Sequence, residues 1–67
     1  MKNIKHIRIE PSEDYGVGAF EIIVVFKNGR KSCMNTTFGW LITIEKAKRW
    51  AAVYDCGIKI TRKAVQV

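Results

Sequence analysis

The dipeptide Asn28-Gly29 constrains this chain more than any other feature, because it separates two segments that both carry strand-forming side chains. Asn-Gly between such segments is a strong short-range signal for a β-hairpin. Both residues tolerate positive φ angles, so we predict a two-residue type I′ turn. The turn sets the register of residues 20–27 against residues 30–37, and the register in turn assigns each side chain to one face of the hairpin.

The predicted register places Val24 opposite Cys33 and Ile22 opposite Asn35. The expected core face carries Phe20, Ile22, Val24, Phe26 and Cys33. The second face has an apolar centre of Ile23, Val25 and Met34, framed by polar and charged side chains. This apolar centre needs either a covering element or a binding partner.

An earlier strand and a later helix flank the hairpin. Residues 4–10 form the strand, which Pro11 ends. Residues 43–55 repeat apolar side chains at the helical period, with Thr43 as the expected N-cap and Glu45 in the first turn. Gly57 suits the left-handed cap that ends many helices.

A final strand follows the helix, over residues 58–61, and residues 64–67 are expected to extend it after a change of phase. The element order is therefore β-β-β-α-β. We predict a single small α+β domain over residues 1–67, a two-layer sandwich with one amphipathic helix packed on one face of an antiparallel sheet. A chain of this length buries a small core, and dimerisation is one way to add buried area.

The charge balance favours an acidic partner. Twelve Lys and Arg against six Asp and Glu give a net charge of +6, which suits nucleic acid and also serves solubility. The basic side chains that we assign to nucleic-acid binding are Lys27, Arg30 and Lys31 at the hairpin tip, Lys46, Lys48 and Arg49 on the helix, and Arg62 and Lys63 near the end of the chain. We therefore expect a non-enzymatic accessory or regulatory protein that binds nucleic acid or a nucleic-acid-handling protein.

The residues that catalysis or metal binding would require are sparse. His6 is the only histidine, and the two cysteines, Cys33 and Cys56, lack metal-ligand spacing, so we expect both thiols to be reduced. A Cys33 nucleophile with His6 as base would need neighbouring strands, and the apolar face expected for Cys33 favours inert packing. We expect no enzyme activity, cofactor, metal or small-molecule substrate. The polar N-terminal segment predicts neither secretion nor a membrane span, and hence a cytoplasmic location.

A second hypothesis is a protein-binding module, such as a phage or mobile-element inhibitor or adaptor that acts on host nucleic-acid machinery. Its expected interface is Ile23, Val25 and Met34 with Trp40. Trp40 lies between strand and helix, where it either plugs the end of the sandwich or joins Tyr15 in a contact surface.

Residues 28–50 also resemble part of a known family. The Gly29-Arg30-Lys31 tip and the spacing of Thr43, Ala47 and Trp50 are similar to the amino-terminal arm-binding domains of tyrosine recombinases, in which a three-stranded sheet precedes a helix. The resemblance implies that the sheet, with Lys27, Arg30 and Lys31, faces the DNA major groove. It covers about a third of the chain, and the strand after Gly57 departs from the family pattern, so it assigns no family.

Overall fold

A computed structural model describes residues 3–12, 14–16 and 18–61. Its elements follow the predicted β-β-β-α-β order, and the predicted α+β class is confirmed. The elements are β1 (Ile4–Pro11), β2 (Ala19–Phe26), β3 (Lys31–Phe38), α1 (Trp40–Tyr54) and β4 (Gly57–Ile60). The predicted strand extension over residues 64–67 lies outside the described residues, as do Arg62 and Lys63.

The four strands form one sheet in the order β3-β2-β1-β4, and this sheet is mixed. β2 pairs antiparallel with both β1 and β3, but β4 runs parallel to β1, with Gly57 beside His6 and Ile60 beside Ile9. The expectation of a fully antiparallel sheet is therefore wrong. The 15 residues of α1 span about 22 Å and carry the chain back along the sheet, so β4 starts beside the start of β1.

The hairpin between β2 and β3 is present, but its turn differs from the prediction. The amide of Gly29 donates to the Phe26 carbonyl at 2.9 Å, and the amide of Phe26 donates to the Arg30 carbonyl at 2.8 Å. Gly29 has a φ of 93°, whereas Asn28 does not have a positive φ. The loop therefore has three residues, with a turn followed by a glycine bulge, because a type I′ turn would require positive φ at both Asn28 and Gly29.

The third loop residue shifts the pairing of β3 by one residue as far as Cys33, and a bulge in β3 then restores the predicted register. Ile22 pairs with Asn35 as predicted, but Ile23 pairs with Cys33 and Val24 with Ser32, so Met34 is the extra residue. One inserted residue reverses the alternation of side chains. Cys33 is consequently exposed on the second face, and Met34 packs against the core, which corrects the predicted places of both residues.

The helix begins earlier than its apolar period indicates. Gly39 is the N-cap, and Thr43 lies inside α1, fully buried, with its hydroxyl donating to the Gly39 carbonyl at 2.7 Å. The prediction of Thr43 as N-cap is wrong, and Glu45 lies beyond the first turn. The Thr43 hydroxyl also lies 2.6 Å from that of Thr37 on β3, which ties the first part of α1 to the sheet.

The helix ends at a left-handed residue, but that residue is Asp55 and not the predicted Gly57. Asp55 has a φ of 55°, and the amide of Cys56 donates to the Ala51 carbonyl at 3.0 Å. Gly57 instead begins β4. Asp tolerates the left-handed region better than most residues, because its short polar side chain interacts with the local backbone.

The core lies between α1 and one face of the sheet. Its buried cluster consists of Ile7, Ile9, Phe20, Ile22, Val24 and Ala47. The predicted core positions of Phe20, Ile22 and Val24 are confirmed, and Phe26 packs at the edge of the cluster. Ala47 is fully buried, and its small side chain lets the helix approach the strands closely.

Candidate nucleic-acid interface

The hairpin tip presents three cationic side chains at one end of the molecule. Lys27, Arg30 and Lys31 are all exposed. The loop is held locally, because the Arg30 amide donates to Oδ1 of Asn28 at 2.9 Å. It is also anchored to the start of the chain, since the Lys27 amide donates to the Asn3 carbonyl at 2.7 Å. The structure thus brings these three predicted binding residues together on an ordered turn.

The sheet face opposite α1, which we call the helix-free face, carries no other element among the described residues. On this face Ile23 lies between Arg8 of β1 and Cys33 of β3. Val25 lies in the same way between His6 and Lys31. Ile23 and Val25 are each only 8% exposed, because side chains from both neighbouring strands flank them.

Cations surround His6 on this face. Burial lowers the pKa of His6 first, and the positive charges of Lys59, Lys5 and Arg8 lower it further. Lys59 belongs to this group because β4 pairs in parallel with β1, which places Lys59 directly beside Arg8. The half of the helix-free face nearest the hairpin tip is therefore electropositive, and it adjoins the tip through Lys31.

Carboxylates limit the basic area toward the other end of the face. Glu10 of β1 lies directly opposite Glu21 of β2. Nε of Arg8 lies 3.3 Å from Oε2 of Glu10, an ion pair that offsets part of the Arg8 charge. Phosphate is therefore favoured beside Lys5, Lys31 and Lys59, and disfavoured beside the two carboxylates.

The structure separates the three basic residues that were predicted on the helix, Lys46, Lys48 and Arg49. Lys46 and Arg49 line a cavity of about 270 Å³ between α1 and β3, which we call the α1–β3 cavity. Lys48 follows Lys46 by two residues, or about 200° around the helix, and so lies on the opposite flank. The remaining lining of the cavity comes from Asn35, Trp50 and Val53.

The predicted protein interface does not form one exposed patch. Ile23 and Val25 are buried on the helix-free face, while Met34 and Trp40 pack against the core on the other face. The Trp40 ring meets the Phe20 ring edge to face at 5.1 Å, in agreement with the interpretation that Trp40 plugs the end of the sandwich. Ile23 and Val25 are buried, whereas Met34 and Trp40 are half-buried, so the four residues do not present a shared contact surface.

Large exposed apolar side chains instead lie around the connection between β3 and α1. This group, the apolar corner, comprises Tyr15 at 63% exposure, Phe38 at 60%, Leu41 at 80% and Ile42 at 60%. The Tyr15 and Phe38 rings meet edge to face at 6.0 Å. Sequence reasoning missed Leu41 and Ile42 because it started the helix at Thr43, although both are apolar residues beside a strand end.

Lys5, Arg8 and Lys59 also belong to this basic surface, although they are not among the binding residues predicted from the sequence. Alternation is the sequence signal for Arg8, which lies between Ile7 and Ile9, and for Lys59, which lies between Ile58 and Ile60, because it places these two cations on the face opposite their apolar neighbours. Lys5 has no such signal, since it shares the parity of Ile7 and Ile9 and lies at the register shift between Ile4 and His6. What the sequence could not show is that β4 lies beside β1, which brings Lys59 next to Arg8.

The structure does not bring His6 and Cys33 together. They lie on β1 and β3, with β2 between them, so about 10 Å separates the two backbones. Both cysteines are free thiols. Burial and the negative charge of Asp55 raise the pKa of Cys56, which makes its thiolate scarcer at neutral pH.

Within the part of the chain that the structure describes, no helix is long and apolar enough to cross a membrane. Comparison with known proteins finds no match to this chain among protein-family models, curated proteins or solved structures. The similarity of residues 28–50 to the arm-binding domains of tyrosine recombinases therefore gains no support from a family match.

Proposed function

We propose that this chain is a non-enzymatic nucleic-acid-binding protein with an accessory or regulatory role. The observation that carries the proposal is the continuity between the three cations of the hairpin tip and the electropositive half of the helix-free face. Lys31 belongs to both, since it follows the turn and lies beside Val25 on the sheet. A phosphate backbone lying across the tip and this face would meet cations from the loop and from several strands.

The physical basis of such binding is the release of condensed counterions. Each phosphate that a Lys or Arg neutralises frees counterions, so the logarithm of the binding constant falls linearly with the logarithm of the salt concentration. The slope is about −0.9 per phosphate contact for duplex DNA and about −0.7 for single strands. If Lys5, Lys27, Arg30, Lys31 and Lys59 each contact one phosphate, the slope for a single strand is about −3.5.

The test is fluorescence anisotropy with labelled single-stranded DNA, duplex DNA and RNA over a range of salt concentrations. Replacing Lys27, Arg30 and Lys31 together by Ala should reduce the magnitude of the slope by roughly 2 for a single strand, because three phosphate contacts are lost. All three side chains are exposed, so circular dichroism should show an unchanged fold. Lys48→Ala is the control, since Lys48 lies on the helix away from the tip.

The proposal fails if the wild-type chain retains none of these nucleic acids at low salt. It also fails if the triple variant and the Lys48→Ala control have the same salt slope as the wild type. Both results are independent of sequence preference, because phosphate contacts carry no base information directly.

A protein-binding module, such as an inhibitor or adaptor, is the second candidate, and the apolar corner favours it. Exposed apolar side chains gathered in one region are typical of protein contact sites. Leu41→Lys would abolish capture of a protein partner, whereas Ala52→Lys, at another exposed position of α1, would preserve it. Pull-down from a host lysate with and without nuclease separates the two candidates, since only a partner held through nucleic acid is lost on digestion.

A further inference from the structure

The α1–β3 cavity combines three kinds of group that nucleotide recognition uses. Trp50 and Val53 supply an apolar lining, Asn35 supplies an amide, and Lys46 and Arg49 supply positive charge. Its volume of about 270 Å³ lies just below the range of about 300–1,000 Å³ for pockets that hold drug-sized ligands. The cavity is therefore suited to one flat ring system and is too small for a folded segment.

The aromatic group of the cavity is held in place by a second ring. Trp50 and Tyr54 are stacked, with their centroids 5.7 Å apart and their planes at 10°. Both side chains also pack against the core. An unpaired base that stacks on the accessible part of Trp50 would meet a ring that is already ordered, so little conformational freedom is lost on binding.

The amide of Asn35 has a defined orientation. Nε1 of Trp50 donates to Oδ1 of Asn35 at 2.7 Å. An indole N–H only donates, so the oxygen of the amide must face Trp50 and the NH₂ group must point elsewhere. The NH₂ group is left to donate to an acceptor on the edge of a base.

Two cations lie beside these groups, Lys46 and Arg49, and Glu45 is the nearest carboxylate in sequence, four residues before Arg49. Lys46 and Arg49 are three residues apart on α1 and are neighbours on the helix surface. Among the described residues, neither forms an ion pair with an acidic side chain. Both therefore remain available for the phosphates on either side of a bound base.

We propose that the α1–β3 cavity binds one unpaired base of a single-stranded nucleic acid, with Lys46 and Arg49 on the flanking phosphates. This inference rests on the proposed nucleic-acid-binding function and specifies its substrate class. A base in a duplex is stacked and paired, so it cannot enter the cavity without leaving the helix. An acidic peptide could use the same charges, apolar lining and amide donor, so it is included as an alternative occupant in the test.

The decisive variant is Asn35→Asp. A carboxylate oxygen still accepts the hydrogen bond from Trp50, but the NH₂ donor is lost and a negative charge faces the phosphates. Lys48→Ala is matched in charge, because it also lowers the net charge by one, and Lys48 lies on the opposite flank of α1. Circular dichroism and thermal unfolding establish that both variants remain folded.

The measurements are anisotropy and tryptophan fluorescence with a short mixed-sequence DNA strand, the same strand as RNA, and the strand annealed to its DNA complement. We expect the wild type to favour the single strands, with quenching of tryptophan emission when a base stacks. Asn35→Asp should weaken single-strand binding by about tenfold or more, because a hydrogen-bond donor is lost and the new negative charge repels the flanking phosphates. Lys48→Ala should weaken it far less.

Equal affinity for single strand and duplex, with equal effects of Asn35→Asp and Lys48→Ala, would overturn this inference and leave the proposed function intact. No binding to any of the three nucleic acids would overturn both. A peptide rich in Glu and Phe that quenches tryptophan emission, when the single strands do not, would reassign the cavity to a protein partner and thus refute the inference.

Discussion

Gly39 is the residue at which a single methyl group should have the clearest effect on this fold. It is the N-cap of α1, with φ 93° and ψ 137°, a conformation that side chains other than that of glycine rarely adopt. Hydrogen bonds to both the amide and the carbonyl of Gly39 stabilise this conformation. The Gly39 amide donates to the Gly18 carbonyl at 2.9 Å, and the Gly39 carbonyl accepts from the amide of Thr43 at 3.1 Å and from its hydroxyl at 2.7 Å.

The decrease in the free energy of unfolding that Gly39→Ala should cause follows from this backbone geometry alone. A Cβ built on Gly39 meets no atom within 4 Å, so the new methyl group causes no collision. The remaining cost is that of holding alanine in a sparsely populated conformation, about 1–3 kcal/mol. For a domain of this size, that loss lowers the Tm by roughly 5–20 °C.

Gly57→Ala is the matched control for this prediction. Gly57 also has open space around its Cβ position, but it lies in β4 and does not have a positive φ. Alanine in a strand is about 0.5–1 kcal/mol more favourable than glycine, so Gly57→Ala should be neutral or slightly stabilising. Urea and thermal unfolding, followed by far-UV circular dichroism, measure both variants.

A free energy of unfolding for Gly39→Ala within about 0.5 kcal/mol of that for Gly57→Ala would refute the reasoning. It would mean that the connection between β3 and α1 relaxes without losing its hydrogen bonds.

Three further predictions concern buried or reactive side chains. Thr43→Val should cost about 1–3 kcal/mol of stability in urea unfolding, because it leaves the buried hydroxyl of Thr37 without its 2.6 Å partner. Cys33 is exposed, whereas burial raises the pKa of Cys56, so Cys33 should react with a thiol reagent first. The difference in rate should disappear in denaturant. Faster labelling of Cys56 in the folded protein would contradict the structure. The fold lowers the pKa of His6, so the unfolded chain binds a proton at this residue first, and the free energy of unfolding should fall as the pH drops below the ordinary value of 6.5. His6→Gln should remove this part of the pH dependence of urea unfolding. An unchanged pH profile would show that His6 does not cause it.

Most of the fold could be predicted because its signals are local. The alternation around Ile7 and Ile9, the segment from Phe20 to Phe26 and the helical period around Ala47 each identify an element and its buried side. The errors lie at boundaries and in registers. Thr43 has the chemistry of an N-cap, yet its burial against Thr37 made it an interior residue of α1.

The candidate site was less predictable, because its parts lie on different elements. The tip cluster is contiguous in sequence, and the structure keeps it together. Lys46, Lys48 and Arg49 are also close in sequence, but helix packing places only Lys46 and Arg49 beside Asn35. Residue spacing shows which side chains share a helix flank, but it does not show what that flank meets.

The sequence by itself determined the α+β class, the order of the elements, the hairpin and the central core residues, since these depend on periodicity and turn chemistry over a few residues. Only the tertiary structure decided the bulge at Met34, the parallel pairing of β4 with β1 and the meeting of α1 with Asn35. Each of these depends on which distant segments pack together. A one-residue change of register, with no local signal, was enough to exchange the faces of Cys33 and Met34.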